Sequence, residues 1–310
     1  MSKLIIDTLI EKIKEKENPT VVGLDPKLEF IPKLILEENY DLYGKSLKGV
    51  SQSFLKYNKM IIDEVCDIVP SIKPQIAMYE KYGYEGIRAY KETISYAKEK
   101  GMVVIADIKR GDISTTQKAY ADAYLGAIEI DGVKERVFDA DFATIAPYMG
   151  TDSIEPCLEV MKETNTGIFV LVKTSNPGSK DFQDLLINGS KLFEVVGDYV
   201  EKWGMDFIGE YGYSSVGAVV GGTHKEECAI LRKRLQKTFF LIPGYGAQGG
   251  KAEDIAACFD KNGIGGIVNS SRGIIAAYKQ EKYKDFGEEN FHKAARESAL
   301  CMKKDLLGCL

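Results

Sequence analysis

The sequence predicts an α/β protein: a single (β/α)8 TIM barrel with extended loops, occupying residues 1–310 as one domain. Three observations lead there. Short apolar, β-branched runs recur eight times, amphipathic segments separate most of them, and the polar residues suited to chemistry gather just after the runs end. Strand–helix alternation with buried strands means a parallel sheet covered by helices. A doubly wound sheet shares that pattern. Eight such units point to the barrel, and the polar groups then fall at the carboxyl ends of the strands, where barrel active sites lie.

The runs fall at residues 20–24, 71–77, 102–108, 142–146, 167–173, 217–221, 239–243 and 265–269. Most read as almost continuous apolar stretches, as strands buried on both faces must, while 71–77 is interrupted by Lys73 and Gln75. Between the second and third runs, residues 79–100 place Ile87, Tyr90, Ile94 and Ala97 on one helical face. The alanine-rich residues 115–128 predict another helix. At the amino terminus, Leu4, Ile5, Leu9 and Ile13 recur at helical spacing with charges between them. Two inserts, 27–49 and 176–190, are longer than simple barrel connections need.

Composition narrows the function class. With 310 residues, a net charge of −5 and 45% hydrophobic residues, the chain has an ordinary globular make-up. The mild acidity argues against a nucleic-acid surface, which needs a basic excess. Residues 1–16 lack the apolar core and small-residue cleavage site of a signal peptide, and no run approaches membrane-spanning length. A cytoplasmic protein with no membrane partner is expected. The six cysteines (Cys66, Cys157, Cys228, Cys258, Cys301 and Cys309) show no paired metal spacing and read as buried or free thiols rather than disulfides. His224 and His292 are the only histidines, which disfavours a histidine-rich metal site. Asn188 and Asn269 open glycosylation-type triplets that read as accidental.

Residues 102–114 are the centre of the functional reading. Asp107 and Lys109 stand two apart where the third run leaves the core, and strand residues i and i+2 share a face. Asp112 follows three residues later, beyond Arg110 and Gly111. A bland reading is a solvated strand end with an incidental ion pair. The sharper reading is a lysine held protonated between two carboxylates, able to stabilise a carbanion and then protonate it.

Other polar residues fall at the same end. Asp25 follows the first run, Lys73 sits within the second, Thr174 and Ser175 follow the fifth, and Arg272 follows the eighth. After the seventh run, Gly244, Gly246 and Gly249 match a dinucleotide fingerprint in form only. They lie in the wrong unit, and a lone match is weak. Lys251 followed by Ala252 likewise fails as a P-loop. A phosphate cradle fits better. Glycines let N–H groups approach an anion, a following helix adds its dipole, Gln248 donates from its side chain, and Arg272 grips bidentately.

Five motifs then resemble one family: Val22-Gly-Leu-Asp-Pro26, Ala106-Asp-Ile-Lys-Arg-Gly-Asp-Ile113, Lys173-Thr-Ser-Asn-Pro-Gly178, Pro243-Gly-Tyr-Gly-Ala-Gln248 and Asn269-Ser-Ser-Arg-Gly273. Together they are similar to orotidine 5′-phosphate decarboxylase, in its longer-chain bacterial branch, from about residue 20 to 280. The resemblance implies conversion of orotidine 5′-phosphate to UMP and carbon dioxide, in pyrimidine biosynthesis, with no cofactor. It implies Lys109 as proton donor to C6, with Asp107 beside the substrate carboxylate. It places Lys73 and Asp25 on the ribose hydroxyls, Ser175 on the pyrimidine, and Gln248 and Arg272 on the 5′-phosphate. It also implies a homodimer in which Asp112, with Ile113 and Thr116 beside it, reaches into the neighbouring subunit's site.

Two rival readings stay in view. A sugar-phosphate decarboxylase of the same barrel type resembles this chain in its Asp-x-Lys-x-x-Asp stretch, but uses magnesium and carries a glutamate where Lys73 stands. A cation there would repel a metal. The other rival is a non-catalytic nucleotide-binding barrel, disfavoured because unused buried charges are costly.

Overall fold

Runs of valine, isoleucine and leucine make strands because their stiff side chains pack well on a pleated surface. Here they close into a barrel. The structure, a computed structural model, describes residues 3–246 and 249–310. Its barrel strands are β1 (Thr20–Leu24), β2 (Ser71–Pro74), β3 (Val103–Arg110), β4 (Phe142–Ile145), β5 (Gly167–Lys173), β6 (Ser214–Val220), β7 (Thr238–Pro243) and β8 (Gly266–Ser270). Each pairs in parallel with its sequence neighbours, and β8 pairs with β1 to close the ring.

Alternation along the strands separates two cores. Inward residues such as Val21, Ile105, Phe142, Phe169, Phe239 and Ile267 fill the barrel, and Ile6, Leu9 and Ile10 of the helix Ile5–Lys16 join the same cluster. The predicted amino-terminal helix therefore plugs one end of the barrel, leaving the carboxyl ends of the strands for chemistry. Outward residues such as Val22, Ile72, Val104 and Val170 pack against the surrounding helices. Gly167 is required inside: a Cβ there would lie 2.3 Å from the Phe142 ring. That gap lets Phe142 and Phe169 meet with ring centroids 5.1 Å apart. Each fully buried phenylalanine contributes about 2–3 kcal/mol.

Several expected bounds shift. The second strand ends at Pro74 rather than 77, because Gln75 makes a single bridge to Asp107 and a short helix, Ala77–Glu80, begins at once. The expected helix 79–100 is Gly83–Glu99, and 115–128 is the helix Ser114–Tyr124 followed by an exposed hairpin, Ile128–Ile130 with Val133–Glu135. The first insert holds the helix Lys33–Tyr43, and the second a small hairpin, Leu186–Ile187 with Ser190–Lys191.

One cysteine expectation is corrected. Cys228, on the helix Lys225–Arg234, and Cys258, in the turn Ala256–Cys258, are joined as a disulfide with Cα atoms 4.8 Å apart. Packing of those two elements brings together residues 30 apart in sequence, which spacing rules do not capture. Cys66, Cys157, Cys301 and Cys309 are free thiols. Among the described residues, no helix is long and apolar enough to cross a membrane.

Candidate active site

The carboxyl ends of the strands surround a cavity of about 700 Å³, lined among others by Asp25, Lys73, Asp107, Lys109, Ser175 and Arg272. This size suits a nucleotide-sized ligand. The barrel thus brings together six of the ten residues singled out from sequence.

Asp107 is the hub. Lys73 Nζ donates to its Oδ2 at 2.5 Å, Lys109 Nζ to its Oδ1 at 2.5 Å, and the Thr144 hydroxyl to Oδ1 at 3.0 Å. Asp25 faces Lys73 electrostatically from the end of β1. Charges therefore alternate in the order Asp25, Lys73, Asp107, Lys109. Burial works against the charged form of Asp107, but Lys73 and Lys109 outweigh it and hold its carboxyl well below the usual carboxylate range. Burial likewise opposes the Lys73 ammonium, yet the attraction of Asp107 and Asp25 prevails and raises its pKa. Both groups stay charged at neutral pH. The Lys73 side chain is only 6% exposed, whereas that of Lys109 is 45% exposed and open to the cavity.

Lys109 reaches this position by an irregularity rather than by the simple pleat. Its φ is +45°, in the left-handed region, and the β3–β4 pairing slips between Ala106 and Arg110. The Ile108 and Lys109 N–H groups both donate to Thr144 Oγ1, at 3.0 and 2.9 Å. A bulge of this kind re-aims a side chain, at a conformational cost of about 1–2 kcal/mol for a non-glycine residue. Thr144 was missed by sequence reasoning because it lies inside an apolar run. Its signal was a lone hydroxyl at the mouth end of a strand.

Within one chain, the lysine that faces two carboxylates is Lys73, between Asp25 and Asp107, while Lys109 pairs with Asp107 alone. Asp112 does not line the cavity: its Oδ1 accepts the Ile113 N–H at 2.8 Å, and its own N–H donates to Gln117 Oε1 at 3.0 Å. Gln117 is buried and donates in turn to Cys157 Sγ at 3.0 Å, so the turn is firmly anchored. Burial pushes the Cys157 thiol up to about 11. Gly111 starts the turn because a Cβ there would meet the Ala146 carbonyl oxygen at 2.8 Å. Asp112, Ile113 and Thr116 lie on the surface outside their own cavity, and the Ile113 residue is 51% exposed.

Other cavity residues carry unspent polar capacity. Asp25 Oδ1 and Asn269 Oδ1 are buried with no hydrogen-bond partner among the described residues. Both are acceptors suited to hydroxyl or amide donors of a ligand. At the end of β5, Thr174, Ser175 and Asn176 line the cavity. Gln183 of the second insert clamps Thr174, accepting its N–H at 2.9 Å and donating to its hydroxyl at 2.8 Å. Beneath, the buried Lys173 ammonium pairs with Asp184 at 2.7 Å.

The glycine loop after β7 departs from the expected cradle. Gly244, Gly246 and Gly249 all have positive φ, as a tight turn demands. The N–H groups of Gly246, Gly249 and Gly250 donate to carbonyls within the loop itself, so these are already spent. The following helix, Ala252–Ile255, is a single turn and supplies little dipole. Gln248 lies outside the described residues. Arg272 lines the cavity just past the end of β8.

Known proteins share this chain's sequence and fold. A family model described as orotidine 5′-phosphate decarboxylase / HUMPS family matches residues 21–286. An orotidine 5′-phosphate decarboxylase of Clostridium tetani is 46% identical over 308 residues, 99% of each chain. That of Caldicellulosiruptor saccharolyticus is 43% identical over 294 residues, 94% of this chain and 96% of the other. Among solved structures, Leishmania donovani OMP decarboxylase superposes with a TM-score of 0.70 at 27% identity, over 97% of this chain and 99% of that one.

Proposed function

The chain belongs to the orotidine 5′-phosphate decarboxylase family, and we propose that its carboxy-lyase reaction, orotidine 5′-phosphate to UMP and carbon dioxide, runs in this cavity with Lys109 as the proton donor. The observation that carries the assignment is the sharing of one buried carboxylate, Asp107, between the ammonium groups of Lys73 and Lys109.

The C6–carboxylate bond breaks and its electron pair stays on C6. No ring carbonyl is placed to delocalise that pair. A fixed ammonium beside C6 stabilises it electrostatically in a water-poor site. Lys109 then transfers a proton to C6 as a general acid and regains one from solvent. Asp107 positions both lysines and stands beside the departing carboxylate. Asp25, with its unpartnered buried oxygen, accepts a ribose hydroxyl, and Lys73 donates to the ribose. Ser175 bonds the pyrimidine, and Arg272 with Gln248 grips the 5′-phosphate. Phosphate binding, remote from C6, supplies energy for ordering the site.

The magnesium-dependent sugar-phosphate reading fits poorly. Both oxygens of Asp107 already bind ammonium groups, so a divalent ion there would have to displace them. The surface position of Asp112, Ile113 and Thr116 supports a homodimer in which Asp112 enters the second subunit's site. The whole chain then acts as one catalytic unit, and the cytoplasm is its proposed location. Incubating the protein with orotidine 5′-phosphate, with and without EDTA, and following pyrimidine absorbance and UMP tests the reaction. Lys109→Ala should abolish turnover while the fold survives; near-normal turnover removes the mechanism.

A further inference from the structure

A second cavity of about 620 Å³ adjoins the first at its phosphate end. Phe30, Tyr245, Ser270 and Arg272 line both cavities, so a ligand anchored in one can extend into the other. Arg272, Lys279 and Lys282 line the second, and no aspartate or glutamate does.

The two lysine charges carry no carboxylate counter-charge. Among the described residues, Lys279 lies over the Tyr278 ring at 5.2 Å and Lys282 donates to Cys301 Sγ at 2.8 Å, with no carboxylate paired to either. The nearby Asp305 accepts the Tyr245 hydroxyl at 2.6 Å, and Glu281 is engaged by Lys284. The turn that carries Arg272 is fixed from this side: Gln280 Nε2 and Ser298 Oγ both donate to the Gly273 carbonyl, at 2.8 and 2.9 Å. A concave surface of one sign concentrates counter-ions. On the proposed placement the 5′-phosphate of a mononucleotide ends at Arg272 and supplies no anion to Lys279 or Lys282.

We propose that this second cavity accepts a further phosphate, so that the protein binds pyrimidine nucleoside 5′-diphosphates with the nucleoside and α-phosphate in the first cavity and the β-phosphate between Lys279 and Lys282. The inference rests on the proposed placement of the 5′-phosphate at Arg272. UDP differs from the product UMP by one phosphoryl group. The product of phosphoryl transfer onto UMP would thus compete with substrate and restrain the reaction that supplies UMP.

The test measures UMP and UDP as competitive inhibitors of orotidine 5′-phosphate turnover, in the wild-type protein and in Lys279→Ala/Lys282→Ala. UDP should inhibit at least as strongly as UMP. The double variant should weaken UDP about tenfold more than UMP, the scale expected for two exposed charge contacts. Competition by UMP with weaker inhibition by UDP overturns the second-phosphate site while leaving the first reading intact. A UDP-to-UMP ratio unchanged by removing both lysines overturns it as well. Failure of UMP itself to compete overturns the underlying placement of the phosphate.

Discussion

Thr144 Oγ1 accepts the Lys109 N–H at 2.9 Å and donates to Asp107 Oδ1 at 3.0 Å. One hydroxyl thus fixes both the strained backbone that aims the lysine and the carboxylate that holds its ammonium. Thr144→Val keeps the shape but strands two N–H donors and one carboxylate contact. The loss of stability should be about 1–3 kcal/mol, the range for leaving buried polar groups unsatisfied. Turnover should fall further than substrate binding, because Lys109 acts after binding. Steady-state kinetics check this: a rise in KM with unchanged kcat would remove Thr144 from the positioning of Lys109.

Asp107 should govern the acid limit of stability. Its carboxyl titrates below the ordinary value of about 4, so its contribution is fully present above about pH 4 and is lost as pH falls through the depressed value. Lys73 has the opposite sign. Its raised pKa makes its contribution complete below about pH 10 and lost only as pH climbs past that. Urea unfolding of wild type and Asp107→Asn should give a stability difference that is flat from about pH 5 to 9 and narrows below about pH 4. A difference that changes across neutral pH would contradict the charge states assigned to the array.

The barrel was legible in sequence because a strand buried on both faces leaves few choices of residue. Runs such as 103–106 or 167–172 admit little but apolar side chains. Lys73 stood out for the same reason: a cation within such a run needs a partner. The bulge at Lys109 was not legible, since left-handed backbone is usually marked by glycine and here falls on lysine. The hairpin Ile128–Ile130 with Val133–Glu135 was hidden because short exposed strands carry no burial pattern. The glycine loop reads in sequence as a phosphate cradle, but which N–H groups it spends internally depends on backbone torsions that glycine leaves open.

The second insert should be held by Asp184. Lys173 is 1% exposed, so removing its partner leaves a buried ammonium uncompensated. Asp184→Ala should cost about 3 kcal/mol. It should also impair turnover, because Gln183 next to it clamps Thr174 at the cavity wall. Adding Lys173→Met should recover much of the stability, since the penalty lies in the unpaired charge. A double variant as unstable as the single one would show that packing, not charge pairing, is what Asp184 contributes.

Asp112 offers the sharpest test of a shared site. Its turn is anchored through Gln117, so it cannot easily fold back to its own cavity. If it serves the second subunit, Lys109→Ala and Asp112→Ala dimers each lack one component in both sites. A hybrid dimer concentrates both defects in one site and leaves the other complete. Subunit exchange between equal amounts of the two inactive variants makes half of the dimers hybrids, so about a quarter of wild-type activity should return. Sedimentation should show a dimer throughout. A mixture that stays inactive despite proven exchange would confine Asp112 to a structural role in its own subunit.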